Sequence, residues 1–290
     1  PTHLLLTAVS WEHADLYPTE ESYFAAFKKL VGGIPSSGLI VANADNAGVK
    51  QTLEGSAKKI VWYGKSGSTN ADYTYESVKQ SETGLSFTVK HGGEAFDITS
   101  SMLGAFQAEN IAACFAMAHS IGIAPEKIIA AIASFKGLKR RLEKRLDGRT
   151  APCGITVFDD IAHSPEKASA VLKELRQIYP GKILAIFEPN IGGRRQEALA
   201  KYDKAFKDAD AVIIPRLTKL KVAENEAEQP IEGDELAQTI SKTHTDSMYM
   251  PDDAQLVAFL VSAAKKGDVI AFLGSHGFRG MIEETVAKLS

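Results

Sequence analysis

The sequence predicts an α/β protein in two parts, and three observations carry that expectation. Residues 155–289 repeat a short apolar run followed by an amphipathic stretch five times, and parallel strands need crossovers of this kind, which are usually helical. Residues 59–100 instead alternate apolar and polar side chains between the turn signals Thr83-Gly84 and Gly92-Gly93, the pattern of an antiparallel appendage. Gly137, followed by the basic run Lys139-Arg140-Arg141, separates the two patterns and is the expected domain boundary.

Taken in order, Thr2 to Val9 reads at once as a buried strand, with no cap or turn before it and with Pro1 where a methionine would stand. The chain therefore reads as cut from something longer. Phe24, Phe27, Leu30 and Val31 recur at spacings of three and four, one face of a helix that Gly32-Gly33 ends. Residues 38–42 form a short apolar strand. After the alternating stretch, residues 102–121 and 126–135 read as helices, the second with Pro125 at its first position and Gly137 just past its end. Beyond the boundary, strands are expected at 155–158, 182–187, 211–214, 247–250 and 268–273. Helices are expected at 165–178, 195–206, 235–241, 253–265 and 279–289. In a parallel sheet covered on both faces, ligands bind beyond the carboxyl ends of the strands. Residues 223–232, rich in Glu, read as a solvated loop.

The 290 residues balance 33 Lys and Arg against 36 Asp and Glu, a formal charge of −3 with a pI of about 6.2. Neutralising phosphates along a nucleic acid needs a basic surface, so small molecules are the expected partners and nucleic acid is not. Cys114 and Cys153 lie 39 apart with no C-x-x-C element, which predicts buried thiols in a reducing compartment. The longest apolar runs, such as 128–135, fall far short of the ~20 residues of a membrane-spanning helix, and no signal peptide is read at the start. A cytoplasmic protein with no membrane partner is the expectation.

Several short motifs carry chemistry, each beside a plainer reading. Gly64-Lys65-Ser66 lacks the upstream glycine of a Walker loop, where Lys59 stands, and reads as an ordinary turn among antiparallel strands. Gly274-Ser275-His276-Gly277-Phe278-Arg279-Gly280 follows a strand and opens a helix, so its amides could hold an anion, or its glycines could only permit tight packing. It is not the dinucleotide fingerprint G-x-G-x-x-G. Asp159 and Asp160 end a strand and precede His163, Ser164 and Pro165, with Ser164 a good helix cap. The acidic pair is either structural or ligand-binding, through ribose hydroxyls or a cation. Glu12, His13 and Asp15 follow a strand end, although a lone histidine is more often structural than a ligand. Lys28 is by default a solvated helical lysine. Gln107 and Asn110, three apart on a helix, are either surface amides or partners for adenine's donor and acceptor edge.

The order of these motifs is more specific than any one of them. T-x-x-x-x-E-H-x-D at 7–15, G-x-x-x-x-x-N at 104–110, G-x-x-R-R-x-E at 137–143 and D-D-x-x-H-x-P at 159–165 resemble, in sequence, the Mur ligases of peptidoglycan synthesis. The likeness runs through nearly the whole chain. Segments 154–160, 187–189 and 277–280 look most like the UDP-N-acetylmuramate ligases, those adding L-alanine and, closer still, the recycling ligase that adds L-alanyl-γ-D-glutamyl-meso-diaminopimelate. The resemblance implies a partial central ATPase domain with the antiparallel appendage over 1–137, then a C-terminal Rossmann-like domain with a mainly parallel sheet over 138–290. The nucleotide-sugar domain, the phosphate-binding loop and a magnesium-binding Glu would lie upstream, so these residues are expected to be inactive alone.

It further implies ATP and Mg2+ as cofactors, and UDP-N-acetylmuramate with an amino acid or peptide as substrates. The γ-phosphate would turn the muramoyl carboxylate into an acyl phosphate, which the amine attacks while cations neutralise the phosphate charge. Carried over by motif, His13 would be a magnesium ligand, Asn110 and Gln107 would meet adenine, Asp160 would hold the ribose, and Arg140 or Arg141 would reach the phosphates. Some Mur ligases carry a carbamylated lysine about where Lys28 falls, which makes Lys28 a catalytic candidate. His163, Glu188, Asn190, Ser275 and His276 are candidates for the amino substrate. Three motifs depart from the family pattern. T-N-x-x-x-D-H reads Thr7-Ala8-Val9-Ser10-Trp11-Glu12-His13, H-N-x-x-N reads Phe106-Gln107-Ala108-Glu109-Asn110, and D-D-x-x-H-H-P has Ser164 for its second histidine. Two other classes stay open. One is a nicotinamide-dependent oxidoreductase, against which the missing G-x-G-x-x-G argues; the other is a non-catalytic binding module descended from a ligase.

Overall fold

Strand β2 (Leu39–Asn43) is buried along its whole length, and its alternating side chains serve two separate cores. Ile40 and Ala42 pack with Phe24 and Val31 of α1 (Glu20–Gly32) and with Val49 and Leu53 of α2 (Ala47–Leu53). Leu39 and Val41 face the other way, into the core that holds Ala112, Phe115 and Ala116 of α3 (Gln107–Ser120). This strand is central to the first of two compact units, Pro1–Lys136 and Gly137–Ser290, in a computed structural model that describes residues 1–11, 16–219 and 230–290.

In the first unit β1 (His3–Leu6), β2, β3 (Ile60–Lys65), β4 (Tyr73–Ser81), β5 (Gly84–His91) and β6 (Glu94–Ser100) form one sheet in chain order. Strands β1 to β4 are parallel, and β4 to β6 are an antiparallel meander. Thr19 and Ser22 cap α1 reciprocally, the Ser22 amide donating to Thr19 Oγ1 at 3.2 Å and the Thr19 amide to Ser22 Oγ at 3.3 Å. Helix α4 (Pro125–Ser134) begins on its proline.

Three expectations change here. Residues 59–100 are not wholly antiparallel, because β3 pairs in parallel with both β2 and β4. The β2–β3 crossover is α2, whose short, glycine-containing sequence shows too little periodicity to reveal a helix. Strands β3 and β4 overlap over only three residue pairs, so the return at 66–72 needs no helix at all. Gly64-Lys65-Ser66 therefore closes a parallel strand rather than lying among antiparallel ones, and a turn follows in which the Ser68 amide donates to Lys65 O at 2.9 Å. Helix α3 begins at Gln107, not at residue 102, because Gly104 takes φ +93° and opens a tight turn closed by Gln107 N to Gly104 O at 2.9 Å.

In the second unit β8 (Thr156–Asp160), β9 (Ile183–Glu188), β10 (Ala211–Pro215), β11 (Ser247–Met250) and β12 (Val269–Gly274) are parallel, in the spatial order β11-β10-β9-β12-β8. These are the five expected strands. A sixth, β7 (Glu143–Leu146), adds antiparallel to β8 at the edge, and its Glu-Lys-Arg-Leu sequence carries no alternation that would announce it. Helices α5 (Pro165–Ile178), α6 (Gly233–Ser241), α7 (Asp253–Ala263) and α8 (Met281–Leu289) follow the strands. Ser164 caps α5, accepting from the Lys167 amide. Residues 195–206 are not the expected α-helix. They lie in 3₁₀ segments, Ile191–Arg194 and Gln196–Tyr202, pinned from outside by Tyr202 OH to Gly193 O at 2.8 Å and by the buried Arg194 guanidinium, which donates to Ile231 O and Thr218 O at 2.9 and 3.0 Å. Because β12 lies between β8 and β9, the carboxyl ends of all three stand side by side. No described helix is long and apolar enough to cross a membrane.

Both tryptophans, Trp11 and Trp62, lie in the first unit, so their emission reports its unfolding. A Cβ on Gly48 would stand 1.9 Å from Val9 O and 3.2 Å from the Phe24 ring. Gly48→Ala is therefore expected to destabilise this unit by ~2 kcal/mol or more in urea titrations. Gly32→Ala, in open space near the end of α1, is expected to stabilise it by about 0.5–1 kcal/mol.

Candidate functional site

Three carboxylates are buried at the carboxyl ends of β8 and β9: Asp159, Asp160 and Glu188. A buried carboxylate must be met by donors or cations, and each of these recruits a different part of the second unit. Asp160, 4% exposed, accepts from the amides of Leu142 and Ala162 at 2.7 and 2.8 Å. Burial raises its pKa, and the two amides oppose that rise. Asp159 faces Arg140 Nε and Arg145 Nη1, each at 3.4 Å, yet burial still holds its pKa above the ordinary carboxylate value. Arg145 also reaches Glu283 at 2.9 Å, which ties β7 to α8.

Arg140 is a clamp. Its guanidinium donates to the main-chain oxygens of Gly274, Ser275 and His276, the latter two at 3.0 Å, and so fixes the start of the glycine-rich loop. Its own backbone is left-handed at φ +56°, as is that of Leu142 at +45°, conformations that cost non-glycine residues energy. The Arg140 amide donates to Glu143 Oε2 at 2.7 Å, and the Ile161 amide donates to Arg140 O at 2.9 Å. The R-R-x-E and D-D motifs thus close on one another. Arg141 is exposed, makes no side-chain hydrogen bond among the described residues, and acts on Asp160 through its charge.

Glu188 is 1% exposed. Its Oε1 accepts from Thr218 N at 2.8 Å and Thr218 Oγ1 at 2.6 Å, while Oε2 has no hydrogen-bond partner among the described residues. Arg279 Nη1 stands 3.7 Å from Oε2, and His276 Nδ1 stands 3.8 Å from Oε1. Arg279 turns its other nitrogens on Asp253, at 2.9 and 2.8 Å, which holds the Asp253 carboxyl below its usual range. Phe278 and Arg279 are both left-handed, at φ +52° and +51°. Ser275 Oγ meets His276 Nδ1 at 3.0 Å. His163 Nδ1 donates to Ile161 O at 2.6 Å, and His163 O accepts from the Asn190 amide at 3.1 Å. Asn190 Oδ1 caps the following 3₁₀ segment through Gly193 N at 3.1 Å. The fold therefore gathers Arg140, Asp160, His163, Glu188, Asn190, Ser275 and His276 around the carboxyl ends of β8, β9 and β12.

In the first unit a second polar group stands at the carboxyl ends of β2 and β3. Asn43 Nδ2 donates to Thr7 O and Glu109 Oε1, both at 3.0 Å, and Asn43 Oδ1 accepts from the Asp45 amide at 2.8 Å. Asp45 in turn accepts from the Lys65 amide at 2.7 Å and from the Ser68 hydroxyl. Burial, reinforced by Asp45, raises the Glu109 pKa. The sequence reading passed over Asn43, Asp45 and Glu109, although Asn43-Ala44-Asp45 directly follows an apolar strand, where the rule for parallel sheets directs the search. Gln107 and Asn110 do come together on α3, Asn110 Nδ2 donating to Gln107 Oε1 at 3.1 Å, with Gln107 buried and Asn110 exposed. Lys28 is exposed on α1, and no hydrogen bond or ion pair among the described residues joins it to these groups. His13, with Glu12 and Asp15, lies outside the described residues. Among the described residues, no group of three or more His, Cys, Asp or Glu side chains could hold a metal ion.

The family description "Mur ligase middle domain" matches residues 1–118, and "Mur ligase, glutamate ligase domain" matches residues 140–276. The chain belongs to the Mur ligase family. Among Mur ligase relatives, the UDP-N-acetylmuramate–L-alanine ligase of Pelotomaculum thermopropionicum is 30% identical over 280 residues, 95% of this chain and 58% of that protein. The enzyme of the same name from Bradyrhizobium sp. strain BTAi1 is 32% identical over 284 residues, 93% of this chain and 58% of that protein. The crystal structure of UDP-N-acetylmuramate–alanine ligase MurC from Thermotoga maritima superposes with a TM-score of 0.77 at 20% identity, covering 99% of this chain and 59% of that one. The murein peptide ligase of Psychrobacter arcticus gives 0.62 at 23% identity, covering 100% and 57%. These two likenesses show the Mur ligase fold. The chain spans about 58% of the length of the curated Mur ligases it matches.

Replacing Asp160 by Asn would turn an NH2 group toward one of the two amides the carboxylate now satisfies. Asp160→Asn is expected to destabilise the second unit by ~1–3 kcal/mol, whereas Arg141→Ala, at an exposed site, is expected to stay within ~0.5 kcal/mol. Calorimetric unfolding of both variants checks this contrast.

Proposed function

We propose that this chain supplies nucleotide-handling and amino-substrate-handling surfaces of an ATP-dependent, amide-forming ligase that extends UDP-N-acetylmuramate in peptidoglycan synthesis. The observation that carries the reading is the interlock of the R-R-x-E and D-D motifs, within a chain matched in both halves by Mur ligase domains. The interlock engages Arg140 in holding the loop and leaves Arg141 as an uncommitted cation for phosphate. Asp160 keeps lone pairs beyond its two amides for ribose hydroxyls. The exposed Asn110 amide, steadied by Gln107, presents a donor and an acceptor to a base edge.

These donors and acceptors fit the polar edges of ATP. Magnesium, with His13 as the ligand the resemblance names, supplies neutralisation of the phosphate charge when bound. A carboxylate is a poor electrophile until phosphorylated. Arg141 would therefore act most strongly where negative charge builds on the transferring phosphoryl group. The reaction belongs in the cytoplasm, where ATP and UDP-linked sugars are found.

L-Alanine is the better-supported amino component, because relatives at about 30% identity carry that name. The recycled tripeptide becomes the second reading, favoured by the likeness of segments 154–160 and 277–280 and by the murein peptide ligase fold.

These 290 residues contain no G-x-x-x-x-G-K-[ST] loop. Phosphate release from ATP with UDP-N-acetylmuramate and L-alanine is therefore expected only from a polypeptide that also carries such a loop. In that polypeptide Arg141→Ala should slow release by about 100-fold. Release by these residues alone, or an unaffected Arg141→Ala variant, would overturn the reading.

A further inference from the structure

Glu188 combines three features that do not belong together in a purely structural carboxylate. It is almost fully buried, one oxygen is saturated, and the other has no donor among the described residues. Buried polar atoms are nearly always hydrogen-bonded, so an orphan of this kind calls for an explanation. Its position is rigid. Oε1 is held by two donors from Thr218, and the backbone packs so closely on Gly274 that a Cβ there would lie 2.8 Å from Glu188 O and 3.1 Å from Glu188 Cβ. The direction of Oε2 is thereby fixed. The neighbouring charges are also specific. Arg279 Nη1 stands 3.7 Å from Oε2, too far to donate a normal hydrogen bond, and the other two guanidinium nitrogens are engaged by Asp253. His276, half-exposed at the mouth of the glycine-rich loop, stands 3.8 Å from the other oxygen. The result is a pre-aimed carboxylate acceptor at a parallel-strand carboxyl end, lacking one N–H donor among the described residues.

We propose that Glu188 Oε2 is the acceptor for the protonated amino group of the ligase's amino component, a primary amine on a small amino acid or at a peptide's amino end. The proposal rests on the ligase reading and adds the atom that receives the amine. His276, beside Oε1 at the mouth of the glycine-rich loop, is the movable cover, displaced as the ammonium passes to Oε2. A positive group suits the site better than a neutral hydroxyl, because a charge-assisted bond to a buried carboxylate is the stronger kind. A metal ion suits it poorly, because one free oxygen beside the Arg279 guanidinium is not a coordination set.

The test uses the full 290-residue chain and two probes matched in shape, L-alaninamide and propionamide, titrated by heteronuclear NMR at pH 7. Wild type is expected to bind the amine at least about tenfold more tightly than propionamide. Glu188→Gln keeps the acceptor for Thr218 and should abolish that preference. Its amide spectrum and melting midpoint report whether it folds. In wild type, which raises no folding question, the preference should fall as pH rises through the amine's own pKa near ~8. A preference that survives in folded Glu188→Gln, or one absent from wild type, overturns the proposal. The two readings fail separately: loss of the amine preference sinks the Glu188 assignment alone, whereas the ligase reading stands or falls on phosphate release by a polypeptide that also carries the phosphate-binding loop.

Discussion

A carboxylate can be taken out of water only where donors are delivered to it, and the second unit is organised around three such deliveries. Asp159 draws two arginines, Asp160 draws two main-chain amides, and Glu188 draws Thr218. None of these donors is a near neighbour in sequence except Ala162. Each bond therefore brings a loop or an edge strand to the carboxyl end of the parallel sheet. Without Asp160 the left-handed turn at Arg140 and Leu142 loses the acceptor of the Leu142 amide, one of the bonds that offset its backbone cost. Without that turn the Arg140 guanidinium no longer reaches the three carbonyls of the glycine-rich loop.

Much of this was legible in the sequence, because the relevant signals are local. Five apolar runs with intervening amphipathic stretches led to five parallel strands, and Ser164-Pro165 marked the start of α5 to the residue. What escaped was decided by distant partners. Helix α2 owes its place to Gly48 lying against Val9 and to Asn46 as its cap, not to periodicity. Strand β7 is polar, and it is a strand because its Arg145 and Glu143 are held by contacts on β8 and α8. Residues 195–206 carry a helical pattern, yet Arg194 and Tyr202 hold that stretch in a tighter winding.

The site shows the same division. Residue types at strand ends pointed to Asp160 and the glycine-rich loop, and the family likeness added Glu188, but roles did not follow from types. Arg140 and Arg141 are identical and adjacent, and only coordinates separate a half-buried clamp from an exposed cation. In the first unit the bond between Asn43 and Glu109 spans 66 residues, a separation at which no motif spacing can speak. Tyr63, beneath this group, keeps a buried hydroxyl with no hydrogen-bond partner among the described residues, and burial lifts its pKa far beyond the ordinary phenol value. That environment also explains why Glu109 resists ionisation.

The paired left-handed residues Phe278 and Arg279 have a consequence for how this protein can vary. Phe278 is fully buried against Phe272, so the turn is anchored by an aromatic plug, while Arg279 carries its charge on the adjoining strained position. Glycine would relax either residue, at ~1 kcal/mol or more each. At Phe278 it would open a void, and at Arg279 it would remove the nearer of two arginine partners of Asp253 and the cation beside Glu188 together. Thermal robustness and local polarity are therefore coupled at this corner: a lineage cannot raise one by easing the main chain there without rewriting the other.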